Sequence, residues 1–320
     1  MREMEKVTIE ASIDQVHVGQ IYTMVSKVPE YNGNRIESIE KLPGGLTNEN
    51  FKVTVGGKDY AVRVAGKGTA EMIDRPAEDN NAHLMADAGI NPPLFYYDPT
   101  TGDKIDAYID GKTLHVPDFS TDEADTYISM IAKKLSEVHN TKDEFKGKFD
   151  FFEEVHSYIK LIEKNNIENY DGHDKVMEKL ADMEAILAKN PRAQSPTHND
   201  PLPENWIVKD GEIFFIDWEY GGIGDPLMDL AAFSLEVELT DEQEQLFLSQ
   251  YFGRDVTDKE YAFILIDKFV NDVLWYLWSP IQIFNGKEKE WYWNYGLNRF
   301  NRCVELMNSE KFKKYTDLLR

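Results

Sequence analysis

Between Pro196 and Asp229 the chain reads PTHNDPLPENWIVKDGEIFFIDWEYGGIGDPLMD, and no other stretch limits its fold and chemistry so closely. Asn205–Lys209 and Glu212–Trp218 are short apolar runs on either side of Lys209-Asp210-Gly211, the pattern of a β-hairpin with an Asp-Gly turn. His198-Asn199-Asp200 precedes the hairpin, Asn205 opens it and Asp217 lies at its end. Transfer of a phosphoryl group to a hydroxyl requires this set: Asp200 to accept the proton, Asn205 and Asp217 to hold Mg²⁺. Amide and carboxylate oxygens are hard ligands suited to Mg²⁺, with nucleotide phosphates and waters completing its octahedron. An HxD motif alone, or an Asp after an apolar strand alone, is as well explained by structure as by chemistry. The two halves in this order, joined by a hairpin of suitable length, are far more specific.

The surrounding composition is that of a globular protein. The 320 residues are 42% hydrophobic and 29% charged, enough for one to three domains. A net charge of −23 argues against nucleic acid or an anionic membrane as the main partner, because phosphates would be repelled. The same charge suits a small cationic substrate, and equally a general role in solubility. Residues 1–20 include Arg2, Glu3, Glu5 and Lys6 without a continuous apolar segment, so no signal peptide is expected. No run approaches the ~18 apolar residues of a membrane helix. Cys303 is the single cysteine, which leaves no intrachain disulfide and points to a reducing cytoplasm. No His/Cys cluster has zinc spacing.

Residues 1–30 read as a short leading helix with loops. Strands are then expected at Ile36–Leu42, Asn50–Val55 and Tyr60–Val64, separated by glycine turns at Pro43-Gly44-Gly45 and Gly56-Gly57. The first turn, LPGGLTNENF, has two readings: Gly44, Gly45, Thr47 and Asn48 offer small groups and backbone N–H donors to nucleotide phosphates, or the segment is a plain hairpin loop. Its glycine spacing matches neither a protein-kinase loop nor a Walker A motif. Arg63, in the strand Tyr60-Ala61-Val62-Arg63, stands where kinases carry Lys in Val-Ala-Ile-Lys, and its permanent fork-shaped charge suits phosphates; a surface arginine is the plainer reading. Glu78, on an expected helix Asp74–Ala88, is either the partner of Arg63 or a solvated glutamate. Two further strands, Leu94–Tyr97 and Ile105–Ile109, complete a β-rich segment.

At Asp110-Gly111-Lys112 the composition changes to mostly helical, which sets expected lobes at 1–110 and 111–320. Helices are expected near 121–139, 151–166, 173–190, 225–237, 258–282 and 288–307. His139 reads as a structural histidine. Asp225-Pro226 has N-cap and N1 chemistry, and Asp229 is placed to brace the loop around Asp200. Four of the six tryptophans, Trp275, Trp278, Trp291 and Trp293, fall in the last two long helices. Such a stripe is ordinarily core, but aromatic faces beside a carboxylate such as Glu236 are also what a quaternary ammonium requires.

On GGLTNENF, YAVR, IDRPAE, THNDPLPEN, FIDWEYGGIGDPLMDLA and WYLW, from about Gly44 to Phe300, the chain resembles the choline/ethanolamine kinase branch of the aminoglycoside-phosphotransferase-like kinases, and bacterial choline kinases in particular. The resemblance implies an α+β, two-lobed protein-kinase-like fold, with ATP and Mg²⁺ as cofactors and choline as acceptor. By position it makes Asp200 the base, with His198 fixing its loop, and Asn205 and Asp217 the magnesium ligands. It gives Arg63 and Glu78 to the phosphates and the Ile109 backbone to adenine. Glu236, Trp275, Trp278 and Tyr295 match choline-pocket positions. Asp217 is followed by Trp218-Glu219 instead of Phe-Gly, so no activation-loop switch is expected. Ethanolamine, an aminoglycoside, thiamine or an amino sugar stay open as acceptors, as does a catalytically inactive nucleotide-binding scaffold. The oligomeric state is not legible.

Overall fold

The computed structural model describes residues 7–31, 34–44, 48–66, 73–142 and 144–320. The chain runs through β1 (Thr8–Ile9), α1 (Gln15–Ser26), β2 (Ile36–Lys41), β3 (Glu49–Val55), β4 (Lys58–Val64) and α2 (Arg75–Asp87). Then come β5 (Leu94–Tyr97), β6 (Lys104–Ala107), β7 (Lys112–Thr113), α3 (Ala124–His139), α4 (Phe151–Asn165) and α5 (His173–Lys189). β8 (Ser195–Thr197), β9 (Trp206–Lys209), β10 (Glu212–Phe215) and β11 (Gly222–Gly224) lead into α6 (Pro226–Glu236). Four helices close the chain: α7 (Asp241–Phe252), α8 (Asp258–Phe284), α9 (Lys289–Asn308) and α10 (Glu310–Thr316).

Two compact units result, and neither is continuous in sequence. The first comprises 1–115, 141–147 and 203–222; the second comprises 116–140, 148–202 and 223–320. The composition change at residue 110 lies near the first crossing, but the hairpin after Asn205 returns to the first unit.

In the first unit a six-stranded sheet has the order β1-β2-β3-β4-β6-β5, antiparallel except for β1 beside β2. β3 alternates as a half-buried strand should, with Phe51, Val53 and Val55 facing the core. Phe51 pairs with Val62 of β4, and Ile21, Met24 and Val25 of α1 join the same apolar cluster. A smaller sheet, β10-β9-β7, contains the hairpin read from the sequence. Lys209 pairs with Glu212, and Asp210 (φ 52°) and Gly211 (φ 83°) both adopt the left-handed backbone of a two-residue hairpin turn. Only glycine accepts that conformation at Gly211 without a steric cost, which is why an Asp-Gly pair signals the turn.

The second unit is built around α8. A Thr257–Glu260 capping box starts this helix, and Phe269, Val270, Val273 and Leu277 are buried along it. Against them pack Val155 and Ile162 of α4, Val176 and Leu180 of α5, Phe300 and Cys303 of α9, and Phe312 of α10. Each such side chain, fully buried, contributes about 1.5–3 kcal/mol. α9 approaches α8 closely at Gly296, where a Cβ would overlap the Tyr170 hydroxyl and come within 2.6 Å of Ser279 Cβ. Any larger residue there would push apart the two helices that carry the aromatic side chains.

Of the elements given above, β1, β7, β8, β11, α7 and α10 were not foreseen. Others are trimmed: the expected strand Ile105–Ile109 ends at Ala107, and the helix expected from 121 begins at Ala124, after a 3₁₀ turn at Val116–Ser120. No helix among the described residues is long and apolar enough to cross a membrane.

Candidate active site

In the first unit, β4 and α2 bring Arg63 and Glu78 together: Arg63 Nη2 lies 2.6 Å from Glu78 Oε1, with both side chains buried. Arg63 also donates from Nε and Nη2 to the Gly102 carbonyl (3.1 and 2.7 Å) and from Nη1 to Asp217 and Glu219 (each 3.3 Å). Each of its three guanidinium nitrogens therefore already faces a protein oxygen. A phosphate could be held only by exchanging one of these partners.

Arg75 completes the cluster, with Nη1 2.6 Å from Glu78 Oε2 and 2.9 Å from Glu219 Oε1. Tyr97 donates its hydroxyl to Glu78 at 2.6 Å, and Asn48 Nδ2 donates to Glu219 at 2.8 Å. Burial opposes ionisation of Glu78, but the Arg63 charge prevails and holds its carboxyl below the ordinary value. Glu219 goes the other way: burial, reinforced by the Asp217 charge, raises it. Arg75 and Glu219 were not among the expected site residues. Both lie inside motifs legible in the sequence, IDRPAE and DWE, but a buried network of two arginines and shared carboxylates has no spacing signature.

Asn48 is thus part of this network and also accepts the Gly66 N–H at 3.2 Å. Gly44 lies in the loop after β2 with φ 91°, while Gly45 and Thr47 are outside the described residues. The Ile109 carbonyl accepts the Gly111 N–H at 2.9 Å.

The oxygen donors Asn205 and Asp217 are tied through the backbone, where Ile216 N–H donates to Asn205 O at 3.0 Å. Carboxylate oxygens of Glu78, Asp217 and Glu219 lie within 4.8 Å of one another, a spacing compatible with a cation. Glu78 and Glu219 are buried and engaged by arginine, whereas the Asp217 side chain is 38% exposed. Of these three carboxylates Asp217 is therefore the one open to a hard divalent ion, whereas Asn205 is itself only 9% exposed. Asp217 is also held at φ 69°, uncommon for a residue with a side chain.

In the second unit the segment His198-Asn199-Asp200 follows β8. Asn199 shares the left-handed backbone, with φ 69°. The buried Asp229 on α6 fixes this conformation by accepting the His198 N–H (2.8 Å) and the Asn199 N–H (2.7 Å). His139 Nε2 lies 3.0 Å from the same carboxylate, and its Nδ1 lies 2.8 Å from the Tyr251 hydroxyl. Asp200 N–H donates to His198 Nδ1 at 3.3 Å, so His198 acts within the loop. The bracing expected of Asp229 and the structural part expected of His139 are both present as contacts.

α6 starts at Asp225, whose side chain accepts the Leu227 N–H at 3.0 Å. Asp225 shares Arg192 with the buried Asp267, at 2.6 and 2.5 Å. Burial, then the Asp267 charge, push the Asp225 carboxyl from its ordinary 3.8 up to about 7. Between those values the folded protein keeps a proton that the unfolded chain has lost, so stability falls as pH rises through the window and stays lower above it. Asp225→Asn preserves a good N-cap. It should reduce the stability difference between about pH 5 and about pH 8 by roughly 1–3 kcal/mol. Urea unfolding of both proteins at the two pH values measures this, and an unaltered difference would place the titration elsewhere.

Farther along, α8 and α9 assemble an aromatic group. Trp275 and Trp278 meet edge to face at 5.8 Å, and Trp278 lies 5.5 Å from Tyr292 and 6.0 Å from Tyr295. Trp291, half exposed and absent from the expected pocket, stacks on Tyr295 at 5.4 Å. Glu236, at the end of α6, does not stand alone. Arg299 donates to it from both Nη atoms, Nη2 at 2.6 Å, and the Arg299 guanidinium carbon lies 4.8 Å from the Tyr295 ring. Arg302 engages Asp272 in turn, with Nε 2.7 Å from Oδ2.

Comparison with known proteins bears on family and fold. The sequence pattern described as choline/ethanolamine kinase matches residues 39–304. Protein LicA of Haemophilus influenzae is 28% identical over 275 residues, covering 82% of this chain and 78% of the relative. The crystal structure of choline kinase LicA from Streptococcus pneumoniae superposes with a TM-score of 0.75 at 31% identity, covering 91% of this chain and 99% of that one. A choline/ethanolamine kinase family protein from Mesorhizobium loti gives a TM-score of 0.82 at 28% identity over 95% of this chain and 99% of its own. The chain has the α+β, kinase-like fold of these proteins and the character of an ATP-dependent phosphotransferase, and it belongs to the choline/ethanolamine kinase family.

Proposed function

We propose that the protein is a choline kinase, transferring the γ-phosphoryl group of ATP to the choline hydroxyl to give phosphocholine in the cytoplasm. The observation that carries the choice of acceptor is the group of aromatic rings around Trp278 and Tyr295, set beside a glutamate already paired with arginine. The first unit is assigned to ATP, through the loop 44–48, the Arg63–Glu78 pair and the Ile109 backbone. The second is assigned to the acceptor and the base. Asp200 accepts the hydroxyl proton as the oxygen attacks phosphorus, and the loop pinned by Asp229 keeps that carboxylate in position. Asn205 and Asp217 would hold Mg²⁺, which when bound supplies positive charge to the phosphates.

Choline's trimethylammonium has no N–H to donate, so aromatic faces are what hold it. A desolvated cation–π contact is worth ~2 kcal/mol, and each ~1.4 kcal/mol is tenfold in affinity. Trp278→Ala should therefore raise the choline KM by roughly thirtyfold where KM tracks binding, with the KM for ATP unchanged. Ethanolamine, smaller and strongly hydrated, should show the lower kcat/KM in the wild type. Side-by-side titration of both amino alcohols is the test. Wild-type preference for ethanolamine, or an unaltered choline KM in the variant, would return the tryptophans to a packing role.

A further inference from the structure

We infer that Arg299 sets the preference of the acceptor site for a fully substituted ammonium over a primary one, by neutralising Glu236 and occupying the carboxylate that a primary ammonium would need. The inference rests on the choline-kinase reading and extends it to a residue outside the aromatic group.

Arg299 and Glu236 face each other fork to fork, each only 11% exposed at the side chain. Arg299 Nη1 also lies 3.8 Å from Asp272 Oδ1. Arg302, besides engaging Asp272, donates to the Leu235 carbonyl at 3.1 Å and has Nη2 4.0 Å from Glu236. The four side chains thus balance two guanidinium groups against two carboxylates, and neither carboxylate offers an uncompensated charge to a ligand. Arg299 meanwhile lies over Tyr295, whose other ring contacts are Trp278 and Trp291.

The two amino alcohols respond differently to such a site. A primary ammonium brings three N–H donors and a tightly held hydration shell, and it needs acceptors or an unpaired carboxylate to replace the lost water. Glu236 already uses both oxygens on Arg299. A quaternary ammonium has no donors and is weakly hydrated, so aromatic faces are sufficient. Arg299 accordingly penalises ethanolamine more than choline. If the arginine were only a strut between α6 and α9, its loss would weaken both substrates alike.

The test measures kcat/KM for choline and ethanolamine on the wild type, Arg299→Met, Arg299→Lys and the double variant Glu236→Gln/Arg299→Met. Arg299→Met should lower the choline-to-ethanolamine ratio by about tenfold, the low end of what close charge pairs contribute to binding. Most of that change should come from a lower ethanolamine KM. Arg299→Lys, which keeps the charge but loses the fork, should shift the ratio the same way by about threefold. The double variant should lose the ethanolamine gain, because the released carboxylate is gone. The KM for ATP serves as a check on the fold. An unaltered ratio in Arg299→Met, or a shift toward choline, overturns the inference. Should that variant fail to fold, an unaltered ratio in Arg299→Lys does the same. Failure of the wild type to turn over choline would be a separate result, overturning the choline-kinase reading and this assignment with it.

Discussion

Replacing Asp200 by Asn is expected to lower kcat at least ~10²-fold, and up to ~10⁴-fold, while the KM for ATP stays near its wild-type value. The loop is fastened through groups the substitution leaves in place. Asp229 accepts the N–H groups of His198 and Asn199. Residue 200 itself donates its backbone N–H to His198 and accepts the Leu202 N–H at 2.9 Å through its backbone carbonyl. Asn is nearly isosteric with Asp, so the change targets the proposed proton acceptor and leaves this backbone fastening in place. Initial rates over a grid of ATP and choline concentrations separate the two constants. Wild-type turnover by Asp200→Asn would mean that the base lies elsewhere.

The second large effect is expected from Arg63→Ala, and on stability before catalysis. The substitution strips a partner from Glu78 and Glu219, whose side chains are 0% and 4% exposed. Breaking a buried ion pair by removing one member typically costs about 3–5 kcal/mol, because the remaining charge is uncompensated. Arg63→Lys should recover only part, since one ammonium cannot reach the oxygens of Gly102, Glu78, Asp217 and Glu219 together. The readout is the urea midpoint, measured beside the KM values for ATP and acceptor. A midpoint within error of the wild type, with only the KM for ATP raised, would make Arg63 chiefly a phosphate ligand.

What was legible in the sequence follows from how local each signal is. Strand alternation announced β2, β3 and β4 to within a residue or two, and the Asp-Gly pair located the hairpin turn. Asp225-Pro226 marked the start of α6 because capping is decided within one turn. α7 also carried a signal, the Thr-x-x-Gln capping box of Thr240 and Gln243, although it was not read. The bracing role of Asp229 followed from motif order. Long-range electrostatics were not accessible in this way. Arg75 and Glu219 are 144 residues apart, and Arg299 meets Glu236 across 63 residues. No local pattern states that a charged side chain will be buried opposite another. The pairing of Arg63 with Glu78 was one of two expected readings, but its further contacts to Gly102, Asp217 and Glu219 were not expected. The expected role of Glu236 assumed a carboxylate available to a ligand, where the fold had already supplied Arg299.

The order in which the first unit's pieces leave the ribosome differs from the order in which they are needed. Arg63, Arg75 and Glu78 are translated early, but Glu219, which both arginines require, comes from the stretch 203–222. A nascent chain ending before that stretch holds two guanidinium groups against the single glutamate Glu78. It also lacks β9, the strand that pairs with β7. Domains commonly mature from the N-terminus as they are synthesised. Here the first unit becomes complete only after translation has passed through α3, α4 and α5, and until then β7 lacks its partner strand and the charges of Arg63 and Arg75 lack Glu219.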